Sequence, residues 1–412
     1  MWSISIAELV LDSVIRFGSV SMRIVLTVFP TALAVGLSLL LCGAAPPERM
    51  LEKITFDDDG KSRTISGRVV VKAQDGGLLV QERDGRLWTV TAEVLEKRVA
   101  TTKPFRPEGV DELGKRLAAE LDKSVSPGFH VTRTRHYTIV SSADPRFARW
   151  TGRLFERLRT AFVGYWKGRG VELSEPEFPL VAIVLKDRAQ FAKFIRVDVK
   201  LDPTSSTGYY SILSNRIVLY DIARIPGQPP AATAVEIQRR LSTAPQAIAT
   251  VVHEAAHQIA YNCGLNQRLA DNPLWLVEGM AVFFETPDLR SRSGWRTVGK
   301  VNLPRLVRFT DFVRRRRRPG SLRSLVRSDR RFREGESEAD ADAYAEAWAL
   351  NYFLLRTRRK QFAAYLKTVS AKPVLRWDTP ETRQADFEKA FGEDWDQLDR
   401  VFVKYMSRVR MK

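Results

Sequence analysis

ATVVHEAAHQIA (residues 249–260) and WLVEGMAVFFE (residues 275–285) are the two stretches from which the rest of the chain can be read. The first holds His253, Glu254 and His257 in an HExxH pattern within an apolar, helix-compatible run. On a helix, positions four apart lie on one face, so both imidazoles reach a single ion. Glu254 leaves from the neighbouring face, where a general base for an activated water is needed. Ala255 and Ala256 favour the helix and keep space clear around the site. The chain has four histidines and two of them stand here, an arrangement whose chance probability is on the order of a few per thousand.

The second stretch supplies a carboxylate. Asp271-Asn272-Pro273 reads as a helix start, with capping side chains followed by an early proline. Glu278 then stands among apolar residues, a costly place for a charge without a metal or a charged partner. Gly279 is a poor helix former, and its place here indicates close backbone approach to another element. The interval from His257 to Glu278 is enough to end one helix, cross a loop and return. Two histidines and one carboxylate leave the fourth position of a tetrahedral zinc open.

Together, HEAAH and WLVEGMAVFFE resemble the gluzincin zinc metallopeptidases, whose pattern is HExxH followed by a WLxEGxA segment, and among them the peptidase-MA-like domains. The resemblance runs from about residue 135 to 370, with the specific motifs confined to 249–285. It implies one Zn2+ per chain held by His253, His257 and Glu278, Glu254 as general base, and a peptide or protein substrate. The Gly-x-Met-Glu-Asn motif of the related aminopeptidases is not evident before the HExxH, so aminopeptidase specificity is not implied. The family also implies an edge strand along which extended peptides bind; Asn215–Asp221 (NRIVLYD) is the candidate, an ordinary core strand the alternative.

A tetrahedral oxyanion needs a further donor. No histidine follows His257, so a Tyr or Arg must serve. Tyr344 is the candidate because related domains carry a Tyr in a downstream helix; the competing reading is a Tyr that simply packs. Glu285 lies two turns beyond Glu278 on nearly the same face and is the candidate for orienting a ligating histidine from behind, against a plain polar residue at a helix end. His130 and His136 stand near a strand and read as structural.

Outward from these motifs, short alternating runs at 64–72, 77–82 and 87–92, separated by Asp75-Gly76 and Asp84-Gly85, predict a small all-β module over 46–100 that resembles SH3-like barrels. Residues 101–128 read as a linker with one helix. The peptidase domain spans 129–412: strands at 136–142, 180–185 and 216–220, a long amphipathic helix at 145–168, a helix at 189–197, a loop at 222–242, and helices almost to the end. Strands first and helices later, without regular βαβ alternation, predict α+β: a zincin-like domain of mixed sheet plus helical C-terminal part.

The chain has only Cys42 and Cys263, which sets aside cysteine-based zinc ligation and a disulfide scaffold. Met22-Arg23, the apolar run 24–41 and the small residues that follow describe an export signal over 1–45, with Met22 as an alternative start and a retained membrane anchor as the alternative to cleavage. A periplasmic, secreted or envelope location follows from that reading. The net charge of +18 favours anionic partners, an envelope surface among them; no specific nucleic-acid motif accompanies it. The run Arg314–Arg318 reads as a solvated loop. A catalytically inactive binding protein of the envelope, on the same fold, is the competing function.

Overall fold

The computed structural model describes residues 50–198, 206–286, 288, 295–333 and 337–410. The expected export segment lies outside them. Among the described residues, no helix is long and apolar enough to cross a membrane. The chain divides into two compact units that meet in sequence at Pro107 and Glu108.

The first unit is a five-stranded antiparallel sheet: β1 Met50–Asp57, β2 Ser62–Lys72, β3 Leu78–Glu82, β4 Leu87–Val90 and β5 Leu95–Pro104, in the order β4-β3-β2-β1-β5. The expected tight turns are there. Gly76 and Gly85 adopt positive φ, and the Asp75 and Asp84 carboxylates accept from Gly77 N and Arg86 N at 2.9 Å each. One face gathers Ile54, Phe56, Ile65, Leu78, Val80 and Val90. The sheet is open: β4 and β5 lie at opposite edges, so the barrel likeness does not extend to closure. Residues 95–104, expected in part as linker, form an edge strand. Its largely exposed LEKRVATTKP lacks the alternation that marks a strand, and pairing with β1 holds it.

The second unit is built on a mixed sheet: β6 His130–Arg133, β7 Tyr137–Ser141, β8 Leu180–Leu185, β9 Gly208–Ser211 and β10 Arg216–Tyr220, in the order β6-β7-β8-β10-β9. β7, β8 and β10 run parallel, with antiparallel strands at both edges. The helices α1 Val110–Ser124, α2 Pro145–Lys167 and α3 Arg188–Asp198 accompany it. β7-α2-β8-α3 is an alternation that was not expected, broken by the antiparallel β9 before the parallel strand β10. The α+β description holds because, among the described residues, every element after β10 is a helix apart from an isolated bridge between Ala270 and Val374.

α1 belongs to this unit rather than to a free linker. Leu113, Gly114, Leu117 and Leu121 are its buried face, and a Cβ on Gly114 would lie 3.0 Å from Val131. α2 presents Phe147, Leu154, Phe155, Leu158 and Phe162 to the core. His136 is tied to Glu156 (Nδ1 to Oε2, 2.7 Å) and to Arg159 (3.1 Å), in keeping with a structural role.

The helical part comprises α4 Ala234–Ser242, α5 Pro245–Asn262, α6 Leu274–Phe284, α7 Leu303–Arg315, α8 Ser321–Arg327, a 3-10 turn at Arg330–Phe332, α9 Ser337–Thr357, α10 Arg359–Ser370, α11 Pro380–Phe391 and α12 Trp395–Met406. α4 corrects the loop expected over 222–242. The prolines end before it, and Thr233 caps it by accepting from Glu236 N.

The arginine run is corrected as well. Arg314, Arg315 and Arg318 are exposed, but Arg316 reaches Asp311 and Asp342, and the Arg317 side chain lies between Asp399 and Glu346, the latter fully buried in α9. A run of like charges reads as a solvated face only while its counter-charges, distant in sequence, go unseen.

The candidate strand Asn215–Asp221 is not an edge. β10 lies between β8 and β9, and the four-residue β9 takes the edge position next to α5. GYYS was too short to announce a strand.

Candidate metal centre

α5 and α6 carry the centre. α5 begins with Pro245 in its first turn, runs through an Ala-rich stretch and is followed by Gly264 at positive φ. Its residues from Val251 to Ala260 are buried throughout. Gln258, directly after the second histidine, anchors it to the sheet: its amide donates to the carbonyls of Val181 on β8 and of Asn215, each at 2.9 Å. The Asn215 and Asn262 amides pair at 2.8 and 2.7 Å, and the Tyr210 hydroxyl donates to Asn215 Oδ1. These amides, buried at Gln258 and Asn215 and half-buried at Asn262, fix the rotation of α5 and therefore the direction in which its histidines point.

α6 is buried along its whole length. Gly279 behaves as its sequence context indicates. A Cβ there would sit 2.4 Å from Ala347 O and 2.2 Å from Asn351 Nδ2, both on α9. Asn351 Nδ2 in turn donates to Trp275 O at 2.8 Å. The helix start differs from expectation. Pro273 is itself the N-cap and offers no side-chain bond; Asp329, far along the chain, accepts from Leu274 N at 2.9 Å. Asp271, expected to cap, is held bidentately by Arg383 of α11 at 2.9 and 2.6 Å. A capping carboxylate supplied from a distant loop leaves no local signature in the sequence.

His253 Nε2 lies 3.0 Å from His257 Nε2 and 3.0 Å from Glu278 Oε2, and His257 Nε2 lies 3.3 Å from Glu278 Oε1. The three residues each offer one ligand atom, all within 4.8 Å of one another, and all three are buried. Two imidazole nitrogens facing each other at hydrogen-bond distance need a proton or a cation between them. Ligands about 2.0–2.1 Å from a tetrahedral zinc stand about 3.3 Å apart. The residues therefore fit the ion with little adjustment.

Glu285 closes the rear of the site. Its Oε2 lies 3.1 Å from His253 Nδ1, while Asn302 Nδ2 donates to its Oε1 at 2.6 Å. Arg305 Nε is 3.9 Å from that same oxygen, and its guanidinium lies over the Tyr344 ring, 5.4 Å from the centroid. Tyr344 is buried on α9 with Phe332 against it. It thus borders the network behind His253. Sequence reading did not single out Asn302 or Arg305, since neither type at a helix start suggests a metal site. Nor did it single out Tyr210, whose backbone N–H donates to Glu254 Oε2 at 2.8 Å. That bond binds the edge strand β9 to the carboxylate next to the candidate metal ligands.

The buried charges of these side chains set one another's protonation. Burial pushes the His253 imidazolium down, but its bonds to Glu278 and Glu285 outweigh this and lift its pKa to about 10. Burial alone would raise Glu278, yet His257 and His253 hold it well below the ordinary carboxylate range. Glu254 goes the other way: burial raises it more than the two histidines lower it.

Because His253 is raised above its unfolded value, the stability it contributes is present below about pH 6.5 and is lost as pH rises through about 10. Thermal unfolding of chelator-treated protein should therefore show a melting temperature falling across that interval. The zinc-loaded protein should lack this component of the fall, since the ion takes the place of the proton. A flat profile for the metal-free protein would contradict a paired imidazolium.

A family model described as "Protein of unknown function (DUF1570)" matches residues 247–376, which include all three candidate ligands, Glu254, Glu285 and Tyr344. No curated protein matches the chain in sequence. Among solved structures, the chain is similar to the one titled "Structure of Native Leukotriene A4 Hydrolase from Saccharomyces cerevisiae", at 11% identity and a TM-score of 0.38, covering 88% of this chain and 45% of that one. The chain thus spans less than half the length of that protein.

Proposed function

We propose that the chain is a zinc-dependent peptidase that hydrolyses peptide bonds, with His253, His257 and Glu278 holding the ion and Glu254 as general base. The observation that carries this reading is the convergence of three ligand atoms from two helices upon one point, with a buried carboxylate fixed beside them. Bound there, zinc would supply Lewis acidity, lowering the pKa of a water molecule toward about 7 and polarising a carbonyl.

The chain's own residues do the remaining work. Tyr210 N–H occupies Oε2 of Glu254, which leaves Oε1 to take a proton and later deliver it to the leaving amine. Burial raises that carboxylate above the ordinary carboxylate range, which makes it a better proton acceptor. Glu285 holds the Nδ1 side of His253, so that Nε2 faces the ligand triangle. The edge strand β9, rather than β10, is the element along which an extended peptide would lie, next to Glu254. Export, from the segment before residue 46, and an anionic envelope surface as a partner of the basic chain belong to the same proposal.

Purified residues 46–412 should contain about one zinc per chain, as a single tetrahedral site of this type holds one ion, and His257→Ala should contain none, by elemental analysis. Absence of zinc in the parent after reconstitution would sink the reading.

A further inference from the structure

We propose that Asn302 is a positioning residue for the metal centre, acting through Glu285 on His253; the assignment rests on the metal reading above. Glu285 ends α6, with one carboxylate oxygen on His253 Nδ1 at 3.1 Å and the other accepting from Asn302 Nδ2 at 2.6 Å. Asn302 is at the same time the N-cap of α7, its Oδ1 accepting from Arg305 N at 3.2 Å. Both side chains are buried, each residue being 8% exposed.

The orientation of the Asn302 amide is thus determined at both ends. Its carbonyl oxygen is taken by the helix start, so its NH2 faces Glu285; the opposite orientation would set an amide oxygen against a carboxylate. Serine, threonine or aspartate would satisfy Arg305 N as well as asparagine does. An amide, with an acceptor and a donor on one planar group, does both tasks at once. A carboxylate pinned at one oxygen cannot swing its other oxygen away from Nδ1, and the imidazole is then held with Nε2 toward His257 and Glu278. Arg305 Nε, 3.9 Å from the same carboxylate oxygen, lies beyond hydrogen-bond distance, so the bond to that oxygen is made by Asn302. The start of α7 therefore sets the tautomer and aim of a ligand on α5.

Two variants test this on the full chain. Asn302→Ser keeps a capping acceptor, but its shorter side chain stops short of Glu285. Asn302→Asp keeps shape and cap without an N–H. Zinc affinity is read by competition with a chromophoric chelator, and the site is read by visible absorption of the cobalt(II)-loaded protein, at a temperature where each variant is folded. The expected result is a loss of about tenfold in zinc affinity for Asn302→Ser, the lower end for residues that orient a metal-bound histidine, with a shifted cobalt spectrum in both variants. A role confined to capping α7 would lower the unfolding temperature and leave the spectrum alone. Wild-type affinity in Asn302→Ser with unmoved spectra in both variants overturns the assignment while the metal reading stands. A wild-type chain that takes up neither zinc nor cobalt overturns both.

Discussion

Glu254→Gln should lower peptide hydrolysis by about 10²–10⁴-fold, the range a positioned general base contributes, and leave the zinc content unchanged. Glutamine keeps the shape of the side chain and can still accept from Tyr210 N through its amide oxygen, so the bond between β9 and α5 survives. What is lost is the capacity to take a proton at the second oxygen. The three ligand atoms come from other side chains, and the variant is still expected to bind metal. Cleavage of a peptide library by the parent and by the variant, each assayed for zinc beforehand, checks the expectation. Equal activity in the two would remove Glu254 from the reaction. A parent that holds zinc yet cleaves nothing would favour the competing reading, a metallopeptidase fold kept for binding.

The parts of this site that could be read from sequence are those in which a residue type was improbable where it stood. Two of four histidines at helical spacing, a glutamate amid an apolar helix and a glycine in that helix's interior all carried information, because each is unfavourable without a specific partner. Glu285 was legible for a related reason, its position two turns from Glu278. Residues whose roles depend on distant partners were not legible. Asp329 caps α6 from 55 positions away. Gln258 is an ordinary helix residue until the carbonyls of Val181 and Asn215 are placed opposite it.

The fold follows the same division. The buried run Leu180–Leu185 and the long helix α2 stand out by periodicity, whereas the edge strands β5 and β9 do not: the first is largely exposed, the second only four residues long. Pairing with a neighbour, rather than intrinsic preference, makes them strands. The arginine run is the clearest case in the opposite direction. Read locally it is a solvated loop, but opposite Glu346, Asp342 and Asp399 it becomes a joint between α7, α9 and α12.

Gly279→Ala should destabilise the protein by about 3 kcal/mol or more, at the upper end of what overpacking costs, and weaken zinc binding with it. Intrinsic propensity argues the other way, because alanine in a helix interior is favoured over glycine by about 1 kcal/mol. Packing decides the sign. The added Cβ would meet Ala347 O at 2.4 Å and Asn351 Nδ2 at 2.2 Å. The first of these is backbone, which cannot rotate out of the way. If the Asn351 amide turns aside, it gives up its bond to Trp275 O and leaves polar groups unpaired in a buried contact. The remaining way out is for α6 to move off α9, and Glu278, one residue before the glycine, would move with it. Because Glu278 Oε2 stands 3.0 Å from His253 Nε2, a shift of a few tenths of an ångström already disturbs the ligand triangle. Thermal unfolding with and without zinc separates the two effects: both melting temperatures should fall, and the stabilisation gained on adding zinc should shrink. A variant as stable as the parent, or more so, would mean that helix propensity outweighs the contact, and that α6 and α9 do not approach as closely as the ligand geometry requires.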